Sequence, residues 1–142
     1  MALAVAQGVK EIAALSVVVK RVDDTTNEDL LSADGVIVGS PTYYGQMSSK
    51  IKAMFDASIK IHGKLENKVG AAFTSSGGVA SGAETTIISI LEAMLVHGMI
   101  IKGRARTSHY GAAAVGKPKE REEAKCRDLG KQVALLILKL RS

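Results

Sequence analysis

Two apolar runs bounded by glycine or opened by valine, Gly35-Val-Ile-Val-Gly39 and Val69-Gly-Ala-Ala-Phe73, constrain the fold of this chain more than any other feature. Neither run alternates polar with apolar residues, so neither suits a strand with one face in water. Each reads as a strand covered on both faces, the pattern of a parallel sheet. Parallel strands must be joined by a crossover, usually a helix packed on one face of the sheet.

The intervening segments supply those helices. Leu3, Ala6, Val9 and Ile12 recur at helical spacing near the start of the chain. Ile51, Met54, Phe55 and Ile59 do so after Ser48 or Ser49, either of which can cap a helix. Ile87, Ile90, Leu91, Met94 and Leu95 mark a third helix from Ala83 to about His97, with Gly98 as the residue beyond its end. Ala124, Leu129, Val133, Leu136, Ile137 and Leu140 give a final helix its apolar face, with Pro118 near its start. Thr26 or Asn27 can cap a short helix through Leu30 and Leu31.

Further strands are expected at Leu15–Val22, which is β-branched, and at Met99–Ile101, with Gly103 to Gly116 as a long loop. The expected order is α-β-α-β-α-β-α-β-α, a single α/β domain over residues 1–142 with a parallel sheet between two helical layers. Aromatic residues make up only 4% of the chain and tryptophan is absent, so the core must be aliphatic.

Charge and cysteine content exclude several functions. The net charge of +5 is spread along the chain without a basic stripe interleaved with aromatics, which argues against nucleic-acid binding. Cys126 is the single cysteine, expected as a free thiol; it leaves no internal disulfide or cysteine-based metal site. The apolar run from Val133 to Leu138 is far too short to span a bilayer, and no secretory signal is visible. The expectation is a cytoplasmic protein without membrane insertion.

Ligands of open parallel sheets bind beyond the C-terminal ends of the strands. Two strand-end loops carry suitable residues. The first, Gly39 to Ser48, holds Pro41, Thr42, Tyr43, Tyr44 and Gly45, and two of the chain's three tyrosines. The second runs from Thr74 through Ser75, Ser76, Gly77 and Gly78 to Gly82, where missing β-carbons allow a flat ligand to approach the backbone. It lacks the Gly-Lys-Ser/Thr of a P-loop. His97, His109 and Tyr110 are separate candidates without a catalytic spacing of their own.

Taken in order, these residues resemble a known family. Gly39-Ser-Pro-Thr-Tyr-Tyr-Gly-Gln-Met-Ser48 is similar to the second flavin loop of the flavodoxin-like FMN-dependent NAD(P)H:quinone oxidoreductases, the tryptophan-repressor-binding-protein type. Phe73-Thr-Ser-Ser-Gly-Gly78 resembles their third flavin loop, Val96-His-Gly-Met99 the stretch before their last strand, and Tyr110-Gly-Ala112 their last loop. The resemblance implies a flavodoxin-like three-layer sandwich, FMN as cofactor, and electron transfer from NAD(P)H to a small quinone acceptor in a homo-oligomer. Pro41, Thr42, Tyr43, Tyr44 and Gly45 would line the isoalloxazine; Ser75, Ser76, Gly77 and Gly78 would touch its polar edge; His97, as the catalytic residue, would sit over the flavin near the substrate. A flavodoxin-type electron carrier and a flavin-free remnant of the fold are the alternatives; a net charge of +5 disfavours the carrier.

The family begins with a strand and a Ser/Thr/Gly-rich phosphate loop, whereas this sequence starts within the helix that follows them. The central first strand is therefore expected to be missing, with Leu15–Val22 and Gly35–Gly39 flanking a gap. The favoured expectation is that the reading frame extends upstream of Met1 into that strand and loop.

Overall fold

The computed structural model describes residues 1–142. The two apolar runs form its centre. β1 (Gly35–Pro41) and β2 (Val69–Ser76) pair in parallel, from Gly35 opposite Val69 to Pro41 opposite Ser75. On the far side of β2 lies a row in two pieces. β3 (Ile100–Ile101) pairs with Val69 and Gly70, and β4 (Ala112–Val115) pairs with Phe73 to Ser76. Residues 102–111 leave the sheet between the two pieces. All pairings are parallel, so the C-terminal ends of the strands share one edge.

Helices cover both faces, as continuous apolar strands require. On one face α2 (Asn27–Ser32), α3 (Ser49–Ala57) and α4 (Ala83–Val96) enclose Leu30, Val38, Ile51, Ala72, Ile90 and Met94. On the other, α1 (Ala2–Lys10) and α5 (Glu120–Arg141) close over Val5, Val69, Ala71, Leu129 and Val133. Cys126 is a free thiol buried in this second layer, and burial pushes its pKa up, which keeps it protonated.

The helix starts follow the local chemistry. Thr26 caps α2 with a reciprocal box: its hydroxyl accepts from the Asp29 amide at 3.3 Å, and its own amide donates to the Asp29 carboxylate at 2.8 Å. Lys20 and Thr26 together hold the Asp29 carboxyl down to about 2. Ser48 caps α3 by accepting from the Ile51 amide at 3.4 Å. Before α5, the Lys119 amide donates to Glu122 at 3.1 Å. Gly98 ends α4 at φ +76°, the left-handed conformation expected of it.

Two expectations about the sheet are corrected. Leu15–Val22 joins no ladder, its last residue opening a short 3-10 turn (Val22–Asp24), and β1 has β2 as its one strand neighbour. A β-branched sequence cannot make a strand without a partner edge, and none lies alongside; Val18 and Val19 stay exposed. The second correction is β4, which falls within the stretch expected to be loop. Its Ala112-Ala-Ala-Val115 sequence carries little strand preference, and it pairs because β2 offers a free edge there. The observed order is α-α-β-α-β-α-β-β-α. No helix is long and apolar enough to cross a membrane.

Candidate functional site

The shared C-terminal edge of β1 and β2 is built from three hydroxyls outward. The Thr74 hydroxyl, fully buried, donates to the Ser40 carbonyl at 2.7 Å. Its proton is thereby engaged, so the Thr42 hydroxyl, 2.9 Å away, donates to it. The Thr42 amide donates to the Ser75 carbonyl at 2.8 Å, extending the β1–β2 pairing past the end of β1. Ser40 in turn accepts from the Ser48 amide at 2.8 Å and so ties the loop's exit to its entrance.

Held in this way, Tyr43 to Gln46 make a tight hairpin. Tyr43 and Gln46 exchange backbone hydrogen bonds of 3.1 and 3.0 Å. Tyr44 and Gly45, at φ +50° and +72°, are both left-handed, the geometry of a two-residue type I′ turn. The turn projects Tyr44 wholly into solvent and leaves Tyr43 largely exposed. Rings displayed in water with nothing packed on them are surfaces available to a ligand.

The loop from Gly77 to Gly82 faces this hairpin. Its backbone N–H groups donate to no protein acceptor, while Ser76 Oγ donates to the Gly78 carbonyl at 2.9 Å and shapes its first turn. A β-carbon at Gly77 would meet nothing within 4 Å, so the backbone is open to close approach. Gly82, at φ +90°, lies against Gly45: a β-carbon there would be 2.6 Å from the Gly45 Cα. The two loops therefore touch. Beside them a groove of about 390 Å³ is lined by Gly39, Ser40, Pro41 and Ser75, by Gly116, and by Met1 and Ala2 at the start of α1.

Pro41, Thr42, Tyr43, Tyr44, Gly45, Ser75, Ser76, Gly77 and Gly78 are thus brought to one edge, with Ser75 and Ser76 as the last residues of β2 rather than loop residues. His97 is not among them. A helix that connects parallel strands must run back against them, so α4 starts at Gly82 beside the loops and ends at the opposite edge of the sheet. Its fourteen residues separate His97 from the loops by about 20 Å. There His97 is buried, with Nε2 2.7 Å from the Ser58 hydroxyl and its ring centroid 5.8 Å from that of His62. The structure thus does not bring His97, expected over the flavin, to the two loops. His109 and Tyr110 also sit away from the edge, on the excursion between β3 and β4.

Sequence reasoning missed Thr74 as the anchor of the first loop and Gly82 as its contact with the second. Thr74 reads simply as the first residue of the second loop, and only the register that sets it opposite Ser40 reveals its part. No group of three or more His, Cys, Asp or Glu side chains could hold a metal ion.

A doubly covered parallel sheet with a tyrosine-bearing hairpin and a glycine-rich loop meeting at the strand ends defines a flavodoxin-like α/β protein. A family model described as NADPH-dependent FMN reductase matches residues 20–112, and the chain belongs to that family. It is 39% identical over 142 residues to a flavodoxin of Aquifex aeolicus, covering 94% of this chain and 77% of that protein. It is 41% identical over 122 residues to an NAD(P)H dehydrogenase (quinone) of Archaeoglobus fulgidus, covering 80% of this chain and just under two thirds (64%) of that protein. A similar enzyme of Geotalea daltonii is 33% identical, with 99% of this chain and 90% of that protein covered. Among solved structures, a WrbA-like flavodoxin from Agrobacterium tumefaciens superposes with a TM-score of 0.79 at 23% identity, covering 96% of this chain and 87% of that one.

Proposed function

We propose that the protein is an FMN-binding oxidoreductase that passes electrons from NAD(P)H to a small quinone-type acceptor. The observation that carries this reading is the contact of the two loops at Gly45 and Gly82, which creates one surface with free backbone donors on one side and free tyrosine rings on the other. An isoalloxazine has those two needs: a flat apolar face and a hydrogen-bonding edge. Family membership and the NAD(P)H dehydrogenase relatives support the same reading.

On this reading Pro41, Thr42, Tyr43, Tyr44 and Gly45 hold the ring face, and the strand end at Ser75 and Ser76 with Gly77 and Gly78 serves the polar edge. The phosphate end falls toward the first turn of α1, whose Met1 and Ala2 line the adjoining groove and whose dipole favours an anion. FMN held there would supply hydride and electron-transfer chemistry; the chain's own residues would bind and orient it and exclude water. We assign His97 to the structure rather than to the reaction. The reading also includes a cytoplasmic location and a homo-oligomer, for which the exposed Ile59, Leu95 and Val96 offer apolar surface.

The Aquifex relative named as a flavodoxin favours a second reading, an electron carrier without its own NAD(P)H oxidation. One sequence of measurements separates the two. FMN is titrated into the purified protein and followed by fluorescence quenching and the visible spectrum, and NAD(P)H oxidation is then assayed with a quinone acceptor. Saturable binding with turnover supports the oxidoreductase; binding without turnover supports the carrier. An absence of saturable binding overturns both.

A further inference from the structure

The excursion between β3 and β4 is a closed structure of its own. The Arg104 amide donates to the His109 carbonyl at 3.2 Å, and His109 Nδ1 donates to the Arg104 carbonyl at 2.6 Å. This clasp makes residues 102–111 a compact loop whose ends lie close together, of the kind that frequently carries function. The Arg104 side chain turns inward, where Nη2 pairs with Asp128 of α5.

Between this loop, β2 and α5 lies a cavity of about 520 Å³, within the range of small-ligand sites. One wall is apolar, formed by Val69 of β2 and by Leu129, Val133 and Leu136 of α5. The other is cationic: Lys102, Arg104 and Arg106 stand against one carboxylate, Asp128. The Arg104 side chain is only 12% exposed, and its Nη1 is buried with no hydrogen-bond partner. That atom is closed off from solvent and does not face the cavity; the cations open to the cavity are the exposed Lys102 and Arg106. The cavity lies along Val69 to Ala71 at the start of β2, whereas the two loops described above meet at its end.

We propose that this cavity is a second ligand site, built for a small organic molecule with one carboxylate and an apolar body. The carboxylate is met by Lys102 and Arg106, and the body lies on Leu129, Val133 and Leu136. Three cations against one anion select a negative ligand over a positive one. The apolar wall selects a carbon body over a bare inorganic anion, because only burial of apolar surface uses that wall.

An amide NMR titration of the whole protein with sodium hexanoate tests this, with hexanol and sodium sulfate as parallel titrants. Saturable shifts are expected at Gly70, Gly103, Arg104, Thr107 and Gln132, with hexanol and sulfate weaker by about tenfold or more, the share of a charge-assisted hydrogen bond. The double variant Lys102→Glu with Arg106→Glu, which alters exposed side chains, should weaken hexanoate several-fold. Failure to saturate, an equal response to hexanol or sulfate, shifts confined to the Tyr43 and Gly77 loops, or unchanged affinity in the double variant would each overturn the proposal.

Discussion

Gly82 and Gly45 sit so close that a β-carbon on Gly82 would lie 2.6 Å from the Gly45 Cα. This is the contact that turns two separate strand-end loops into one surface. Gly82 is also left-handed, at φ +90°, where an L side chain costs about 1–2 kcal/mol before any clash. Gly82→Ala is therefore expected to lower the thermal midpoint and to weaken FMN binding together. Thermal unfolding and an FMN titration check it; an unchanged midpoint and dissociation constant would show that the loops need not touch.

Thr74→Val keeps the shape of the side chain but removes the hydroxyl that Ser40 and Thr42 share. The Ser40 carbonyl then loses a donor in a buried setting, at a cost of about 1–3 kcal/mol. The protein should stay folded, with FMN affinity reduced because Thr42 is no longer fixed. Restoring the hydroxyl with Thr74→Ser should recover part of that affinity; no recovery would assign the loss to packing.

Tyr44 presents its ring wholly to solvent. Tyr44→Ala should therefore change stability by less than about 0.5 kcal/mol, as at other exposed sites. The same substitution should raise the FMN dissociation constant if a flavin packs on the ring. An unaltered constant would remove Tyr44 from the site.

Gly8 and Gly130 carry the packing of α1 on α5. A β-carbon on Gly8 would fall 1.8 Å from the Arg127 carbonyl oxygen, and one on Gly130 would fall 2.0 Å from that of Val5. In an isolated helix Gly to Ala gains about 1 kcal/mol. Here the backbones must separate, and overpacking of this kind typically costs about 1–3 kcal/mol. Gly8→Ala is expected to be net destabilising in urea unfolding. A higher midpoint would mean that the helices can move apart freely.

Ser58 donates its proton to the Phe55 carbonyl at 2.6 Å, so His97 Nε2 is the donor to Ser58. Burial first, and the neighbouring His62 second, push the His97 pKa below its ordinary value. The unfolded chain therefore binds this proton more readily than the folded one. The contribution is fully present above the ordinary histidine value of about 6.5 and is lost as pH falls from there through the lowered folded pKa. Wild type should lose stability over that interval, and His97→Gln should flatten the slope. Parallel slopes in the two proteins would separate His97 from the effect.

The sequence by itself determined the layered α/β architecture, because Gly35–Gly39 and Val69–Phe73 are apolar at every side-chain position and can be stable only when covered on both faces. It also narrowed the helix starts to Thr26 or Asn27 and to Ser48 or Ser49 and determined the stop at Gly98, since capping and left-handed preferences act within one turn of chain; the structure takes Thr26 and Ser48. The two loop sequences were legible as a candidate site for the same reason: glycine, serine and tyrosine clusters are local features. Tertiary structure alone decided which segments pair and which ends meet. Leu15–Val22 has strand chemistry and no partner, while Ala112–Val115 has little strand chemistry and a free edge at β2. His97 stands in a family-like motif, yet the direction of α4 carries it to the far edge of the sheet. Thr74 and Gly82 matter because other parts of the chain lie against them. Pairing and proximity join residues far apart in sequence, and no local preference encodes them.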